Sequence, residues 1–453
     1  MNRSLIAFGT VILTGAMLSA QVAPAPPQAT SAPPAQTGVP STGPRVKLTL
    51  QDAQALALKN HPQVQAAELT YHASEQVITQ NRAAYYPVID GEVTGSGGNP
   101  QARIGAGYLS TSRLFDRFGQ GVSITQLITD SGRTGNLVAS AKLQAQASSQ
   151  TLQATRYDVL LNVNTAYFDA LRSQALVKVA EQTLAARQLL MDQVSALAQS
   201  KLRSQLDVSF AGVSVAQAKL LLIRAQDTVQ QAFAELTRAL GSEQQQAYAL
   251  VDEPLPASPP PNSTTLVSQA MQTRPELASI RFERESAYRV ERAERDLSYP
   301  TVNLLAVGGF IPFIHQLTTQ PVPNEYGGAA INVQIPIFNG GLFSARREAA
   351  RYRAQASDQR VRDLEESIAR DVRVAWTNAE TAYHQLDVTA ELLRQATMAL
   401  DLAQGRYNLG LSSIVELTQA QLNLTQAEVE NLSARYDYQR QNAILQYSIG
   451  MLH

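Results

Sequence analysis

Two regions of the chain alternate apolar and polar residues. In "AINVQIPIF", Ile331, Val333, Ile335 and Ile337 share one face and Asn332 and Gln334 the other; in "GVSITQLI", Val122 and Ile124 oppose Ser123 and Thr125. With "PVIDGEVTG" and "PTVNLLAVGG" this predicts four strands, at about 87–97, 117–128, 300–310 and 326–338. At roughly ten residues each they have the length and alternation of membrane-barrel strands. A half-buried soluble hairpin carries the same pattern, so both readings stand at this point.

Between the strand regions the period changes to that of helices. No Gly or Pro falls between Gly135 and Gly212, or between Gly341 and Gly405. As a helix, Leu342 to Gln404 would span on the order of 95 Å. Its apolar seam runs Ile368, Val372, Ala375, Ala379, Ala382 and onward to Tyr407 in alternating steps of four and three. The same seam recurs from Val159 to Ala198, broken clearly only by Ser173 and Arg187. A sustained repeat of this period predicts a left-handed coiled coil, and its many alanines predict closely approaching helices. A solvent-exposed stalk follows.

The two regions are copies of one unit. "AYYP" at Ala84 to Pro87 matches "LSYP" at Leu297 to Pro300, and "NHP" at Asn60 matches "TRP" at Thr273, both offset by 213. Beyond the strands, Gly132 matches Gly341, Tyr167 matches Trp376, Asp207 matches Glu416 and Gly241 matches Gly450, offset by 209 (341 − 132). Repeat 1 is expected at 48–241, a linker at 242–265 and repeat 2 at 266–453, each repeat a helix, two strands and a long helical hairpin. The hairpins turn at about 199–205 and 407–414. In the second, Gly410 supplies a left-handed helix end, and Ser413 with Glu416 reads as a capping box. In the first, Ser204 and Asp207 hold the same two positions with no glycine before them.

Net charge is −1, so no global field favours nucleic acid or acidic lipid. Residues 1–20 read as a secretory signal peptide, with a single membrane anchor as the competing reading. No later run approaches 18 uninterrupted apolar residues, so no transmembrane helix is expected. Residues 21–47 form a Pro-rich leader expected to be disordered. The chain has no cysteine, hence neither disulfides nor a thiol for lipidation, and must be held by packing alone.

If the strands lie in lipid, four per chain cannot close a barrel, and an open edge is not tolerated there. Three chains would supply twelve. The segment "RYNLGLSSIVELTQAQLNLTQAEVENLSARYDYQRQNAILQYSIG", its weaker echo from Lys201 to Gly241, the two YP sites and "FNGG" at Phe338 to Gly341 resemble the TolC-like outer-membrane efflux protein family, over essentially the whole chain from Leu48. The resemblance implies a mainly α fold with a membrane β-barrel: a homotrimer whose twelve-stranded barrel in the outer membrane continues into a twelve-helix coiled-coil tunnel in the periplasm. It further implies outer-membrane lipid, a periplasmic adaptor and an inner-membrane pump of RND or ABC type as partners, with passage of drugs, metals or proteins and no chemistry.

The resemblance also places the periplasmic entrance at the hairpin tips. Mapped by motif, the gate positions are Tyr407, Ser412 where the family has arginine, Glu416 and Gln419 at its acidic positions, and Asp207 in the first unit. Ser412 and Gln419 depart from the family and put a salt-bridged gate in question. Asp207 and Glu416, repeated threefold, would make acidic rings that favour cations. They read equally as capping carboxylates at helix N-termini, and the two roles are compatible. Adaptor docking is expected on the exposed turns, at Lys201, Leu202, Arg203 and Ser204 and at Asn408, Leu409, Gly410, Leu411, Ser412 and Ser413; turn chemistry alone is the competing reading.

No other constellation carries chemistry. His61, His72, His315, His384 and His453 lack ligand spacing, so no metal, cofactor or enzymatic activity is expected. "GSGG" at Gly95 reads as a strand-end loop. Tyr85, Tyr86 and Tyr299 read as an interfacial aromatic belt or as junction packing. Nucleic acid is not an expected partner. The alternative to an export duct is a periplasmic coiled-coil scaffold whose strands pair in a soluble sheet.

Overall fold

The computed structural model describes residues 46–96, 117–242, 248–256, 262–314 and 324–452. The expected signal peptide, residues 21–45 of the leader, Gly97, Gly98, His315 and His453 lie outside them.

Each repeat opens with two helices broken at a proline: α1 (Leu50–Asn60) and α2 (Pro62–Arg82), then α5 (Ser263–Thr273) and α6 (Pro275–Asp296). Proline at the first position of α2 and α6 begins a helix and cannot continue one. Two strands follow in each repeat, β2 (Val88–Ser96) and β3 (Arg117–Thr129), then β5 (Thr301–Ile314) and β6 (Glu325–Gln334). They form one antiparallel sheet in the order β2-β3-β5-β6, so β3 and β5 join the two repeats. β2 and β6 are left as edges with no further strand beside them among the described residues.

Register sorts the side chains by face, because directly opposed residues point the same way. One face carries Asp90, Glu92, Thr94, Ser123, Thr125, Asn303 and Asn332, interrupted by Val88, Leu127, Leu305, Val307 and Tyr326. The other carries Ile89, Val93, Val122, Ile331 and Val333, all exposed, with Gln120 and Gln126 among them.

The strand bounds differ from expectation at the third and fourth. β5 runs on to Ile314, reached through a register shift opposite Phe118 and Gln120. β6 stops at Gln334 instead of residue 338, because Thr301, the first residue of β5, already opposes Gln334, and Pro336 has no N–H to donate. Ile335 and Ile337 are thus not strand residues; Ile337 is 94% exposed.

The coiled-coil hairpins are α3 (Arg133–Gln199) with α4 (Gln205–Ala239) and α7 (Leu342–Asn408) with α8 (Ile414–Ser448). α3 and α7 have 67 residues each, about 100 Å of helix. Every seam position from Val159 to Ala198 and from Ile368 to Tyr407 is buried or half-buried. Ser173 and Arg187 are no exceptions. The Ser173 hydroxyl donates to the Ala170 carbonyl at 2.8 Å, and the Arg187 guanidinium reaches across to Gln421 Oε1 and Thr425 Oγ1 on α8. Polar groups are tolerated in the seam because each finds a partner.

The end of the leader, expected to be disordered, is ordered at Val46 and Lys47, and part of the linker is a strand. β1 (Val46–Leu48) pairs in parallel with β4 (Tyr248–Leu250), so the end of the leader and the middle of the linker form a clip. Tyr167, fully buried in α3, locks it: its hydroxyl lies 2.9 Å from the Leu48 carbonyl and 2.7 Å from that of Val251. Burial pushes that phenol up to about 12. Around the clip, Leu48, Val159, Val163, Leu236 and Leu240 form the main core, and Leu266, Leu277, Ile368, Val372 and Leu445 form its counterpart in repeat 2.

Candidate functional site

The two hairpins of the chain turn side by side, and the expected entrance residues lie at these turns. α7 ends in a double bond pattern: the Gly410 N–H donates to the Tyr407 carbonyl at 3.0 Å and the Leu411 N–H to that of Arg406 at 2.8 Å, with Gly410 at φ +75°. This is the Schellman end that glycine favours. α3 ends the same way through Lys201 N–H to the Ala198 carbonyl and Leu202 N–H to the Leu197 carbonyl. Here the left-handed position, φ +59°, is held by Lys201.

Each second helix is then restarted by serine, but not identically. Ser204 and Asp207 form a full capping box, each side chain accepting from the other's N–H at 3.1 Å. At the second tip only half of the expected box forms: Ser413 Oγ accepts from the Glu416 N–H at 3.4 Å. The Glu416 carboxylate turns instead to Arg406, 3.3 Å away on α7. An opposite charge within reach outweighs a neutral N–H already half in water.

Tyr407 is buried against Leu190, Val194, Ala403 and Leu417, at the meeting of both hairpins. Arg203, from the first turn, covers it. The guanidinium carbon sits 4.2 Å from the ring centroid, and one nitrogen donates to the Tyr407 carbonyl at 2.8 Å. Burial, with the nearby Asp207 carboxylate, raises the Tyr407 phenol above its ordinary range against the opposing pull of Arg203. Its hydroxyl and the Ser412 hydroxyl are buried without a hydrogen-bond partner among the described residues. Gln419 lies on the exposed side of α8 and donates to Asn423 at 2.9 Å.

The structure thus brings Tyr407, Arg203 and Asp207 together and leaves Glu416 with Arg406 and Gln419 apart. Sequence reasoning placed Arg203 only on the docking surface and did not single out Arg406. The remaining turn residues are outward-facing: Leu202, Leu409 and Leu411 are 71%, 76% and 68% exposed, an unusual display of leucine for helix turns.

A family model described as "Outer membrane efflux protein" matches residues 54–242 and 266–451. The chain belongs to that family. Its relatives include BepC of Brucella suis, an outer membrane efflux protein, 23% identical over 394 residues, covering 86% of this chain and 82% of BepC. AprF of Pseudomonas aeruginosa, an alkaline protease secretion protein, is 27% identical over 420 residues, covering 89% and 85%. Among solved structures, CusC superposes with a TM-score of 0.77 at 20% identity, covering 90% of this chain and 93% of that one. The protein is therefore an outer-membrane efflux channel protein, and the alternative of a periplasmic scaffold is set aside.

Proposed function

We propose that three copies of this chain form the exit duct of a tripartite efflux or type I secretion system. The observation that carries the reading is the sheet: four antiparallel strands with two edges unpaired among the described residues, a mainly apolar face in the open and a more polar face opposite. In lipid, edges must be paired, and β6 of one copy beside β2 of the next closes twelve strands into a barrel. The flank of α4 supports the same assembly. Leu206, Val213 and Ile223 are exposed along it, and by length and composition α4 is apolar enough to cross a membrane, although it is one arm of a hairpin. A neighbouring copy in a twelve-helix tunnel covers such a flank.

In this reading the tips are the periplasmic entrance. Asp207, Tyr407, Ser412, Glu416 and Gln419 line or support the aperture. The turns at Lys201 to Ser204 and Asn408 to Ser413, with their bare leucines, dock a periplasmic adaptor that links the duct to an inner-membrane pump of RND or ABC type. The pump sets the cargo; the names of the relatives span efflux and protease secretion.

Because the chain lacks cysteine, the assembly can be read directly. Single-chain variants carrying one cysteine on β2 and one on β6, scanned along both strands, are oxidised in the outer membrane. Matched pairs are expected to give covalent dimers and trimers. If no pair at any register links two copies, the shared barrel is wrong.

A further inference from the structure

Four residues cross the sheet in one row: Glu92 on β2, Gly121 on β3, Gly309 on β5 and Tyr326 on β6. They belong to the face that carries Asp90, Ser123, Asn303 and Asn332. A Cβ placed on Gly309 would fall 2.6 Å from Tyr326 Cζ, and one on Gly121 would fall 3.1 Å from the same atom and closer still to the hydroxyl. The tyrosine therefore lies flat along the sheet, its ring over Gly309 and its hydroxyl over Gly121, in space that any other residue would fill. The other strand glycines do not share this: Gly91, Gly95 and Gly328 have nothing within 4 Å of the Cβ position.

We propose that Tyr326 sets the bore of the outer half of the barrel, and that Gly121 and Gly309 keep the lumen wide by stowing its ring against the wall. This rests on the three-chain barrel with its polar face inward. Tyr326 is the second residue of β6, which runs from Glu325 toward α7, while β2, β3 and β5 each continue four or five residues beyond the row, so the row lies part-way along the sheet, past its middle on the side away from the helices. A tyrosine with no glycine beside it stands roughly perpendicular to its sheet. Three such rings pointing inward would narrow the passage, whereas three rings laid over glycines leave Glu92 and the backbone as its lining at that level. Aromatic cover of a strand glycine also returns packing that the missing side chain forfeits, which holds the ring down without a hydrogen bond.

The test uses a single thiol. Asn332→Cys puts it on the polar face, about 20 Å further toward the helices than Tyr326 at about 3.3 Å per residue. Maleimides of increasing polymer size are added outside intact cells. In the otherwise native channel both small and bulky reagents are expected to label it. Gly121→Ala, and more strongly Gly121→Val, are expected to slow the bulky reagent several-fold and leave the small one unchanged. Adding Tyr326→Ala is expected to restore the bulky rate. Gly121 is the site to fill because a Cβ there meets a backbone carbonyl, that of Gly308, at 2.9 Å, whereas a Cβ on Gly309 would strike the Gln120 carbonyl more closely; outer-membrane trimer level is measured alongside for each variant, so that a backbone shift is separated from the effect on the ring. An unchanged bulky rate in Gly121→Val, or a slowing that persists with Tyr326→Ala, overturns the proposal. A thiol at 332 that no reagent reaches from outside, beside a reactive Val333→Cys, overturns the inward polar face as well.

Discussion

Arg203 of the first hairpin turn lies over the ring of Tyr407 at the end of α7, 4.2 Å from its centroid, and donates to the Tyr407 carbonyl as well. One side chain thereby ties the two tips of a protomer. The cation that covers Tyr407 therefore comes from the other hairpin, while Arg406 of the same hairpin pairs with Glu416.

Loss of that tie is the first expectation. The stacking and the charged hydrogen bond are each worth about 1–2 kcal/mol, so Arg203→Ala should favour separation of the tips by on the order of tenfold or more. Bilayer recordings of the purified channel should show a raised resting conductance. Arg203→Lys, which keeps the charge but not the planar fork, should fall between. A resting conductance equal to that of the native channel in Arg203→Ala would contradict the tie.

Lys201 occupies a left-handed position that its repeat partner fills with Gly410. The Cβ costs about 1–2 kcal/mol there, against a backbone entropy cost of about 1 kcal/mol or less for glycine. Lys201→Gly should tighten the first turn modestly, read as slower amide exchange at residues 197–204. Gly410→Ala should loosen the second turn by a similar amount.

Asp207 and Glu416 are both held locally, one in a capping box and one against Arg406. If they also line the aperture, Asp207→Asn with Glu416→Gln should lower the cation preference of the channel at low ionic strength, where screening is weakest. An unchanged preference would leave the two carboxylates as caps and nothing more.

His61 closes the break between α1 and α2. Its Nδ1 accepts the Gln63 N–H at 3.3 Å, and burial, with Arg238 nearby, holds its pKa below the usual value. A depressed histidine is neutral in the fold and binds a proton more readily unfolded, so its contribution is whole above about pH 6.5. It is lost as pH falls from there through the folded pKa. Thermal midpoints should drop between pH 7.5 and 5, and drop less in His61→Asn, which retains a side-chain cap that does not titrate. Equal pH slopes for the two proteins would contradict this.

The long helices and their seams were legible because a period held from Ile368 to Tyr407 leaves few alternatives, and the 209-residue offset let each half check the other. Gly410 announces the second turn and its left-handed end; the first turn is placed by the repeat offset and by Ser204 with Asp207, but its left-handed residue is not, since lysine does not signal such an end. The β1–β4 clip was illegible for another reason: three residues on each side carry no alternation to count, and what selects them is Tyr167 in a distant helix. The same limit applies at the tips. Ser413 and Glu416 fit a capping box by spacing, but whether the carboxylate bonds its own helix or Arg406 depends on how two helices meet. Arg203 was placed on the correct turn, yet its partner lies 204 positions away, and no local pattern connects them.

The central claim is that one chain supplies a third of a closed barrel. The most direct measurement is the native mass of the protein extracted from the outer membrane in mild detergent, by light scattering with the detergent contribution subtracted. Three chain masses are expected, persisting on dilution because the strand edges are joined. A monomer would leave β2 and β6 open in lipid and would contradict the account.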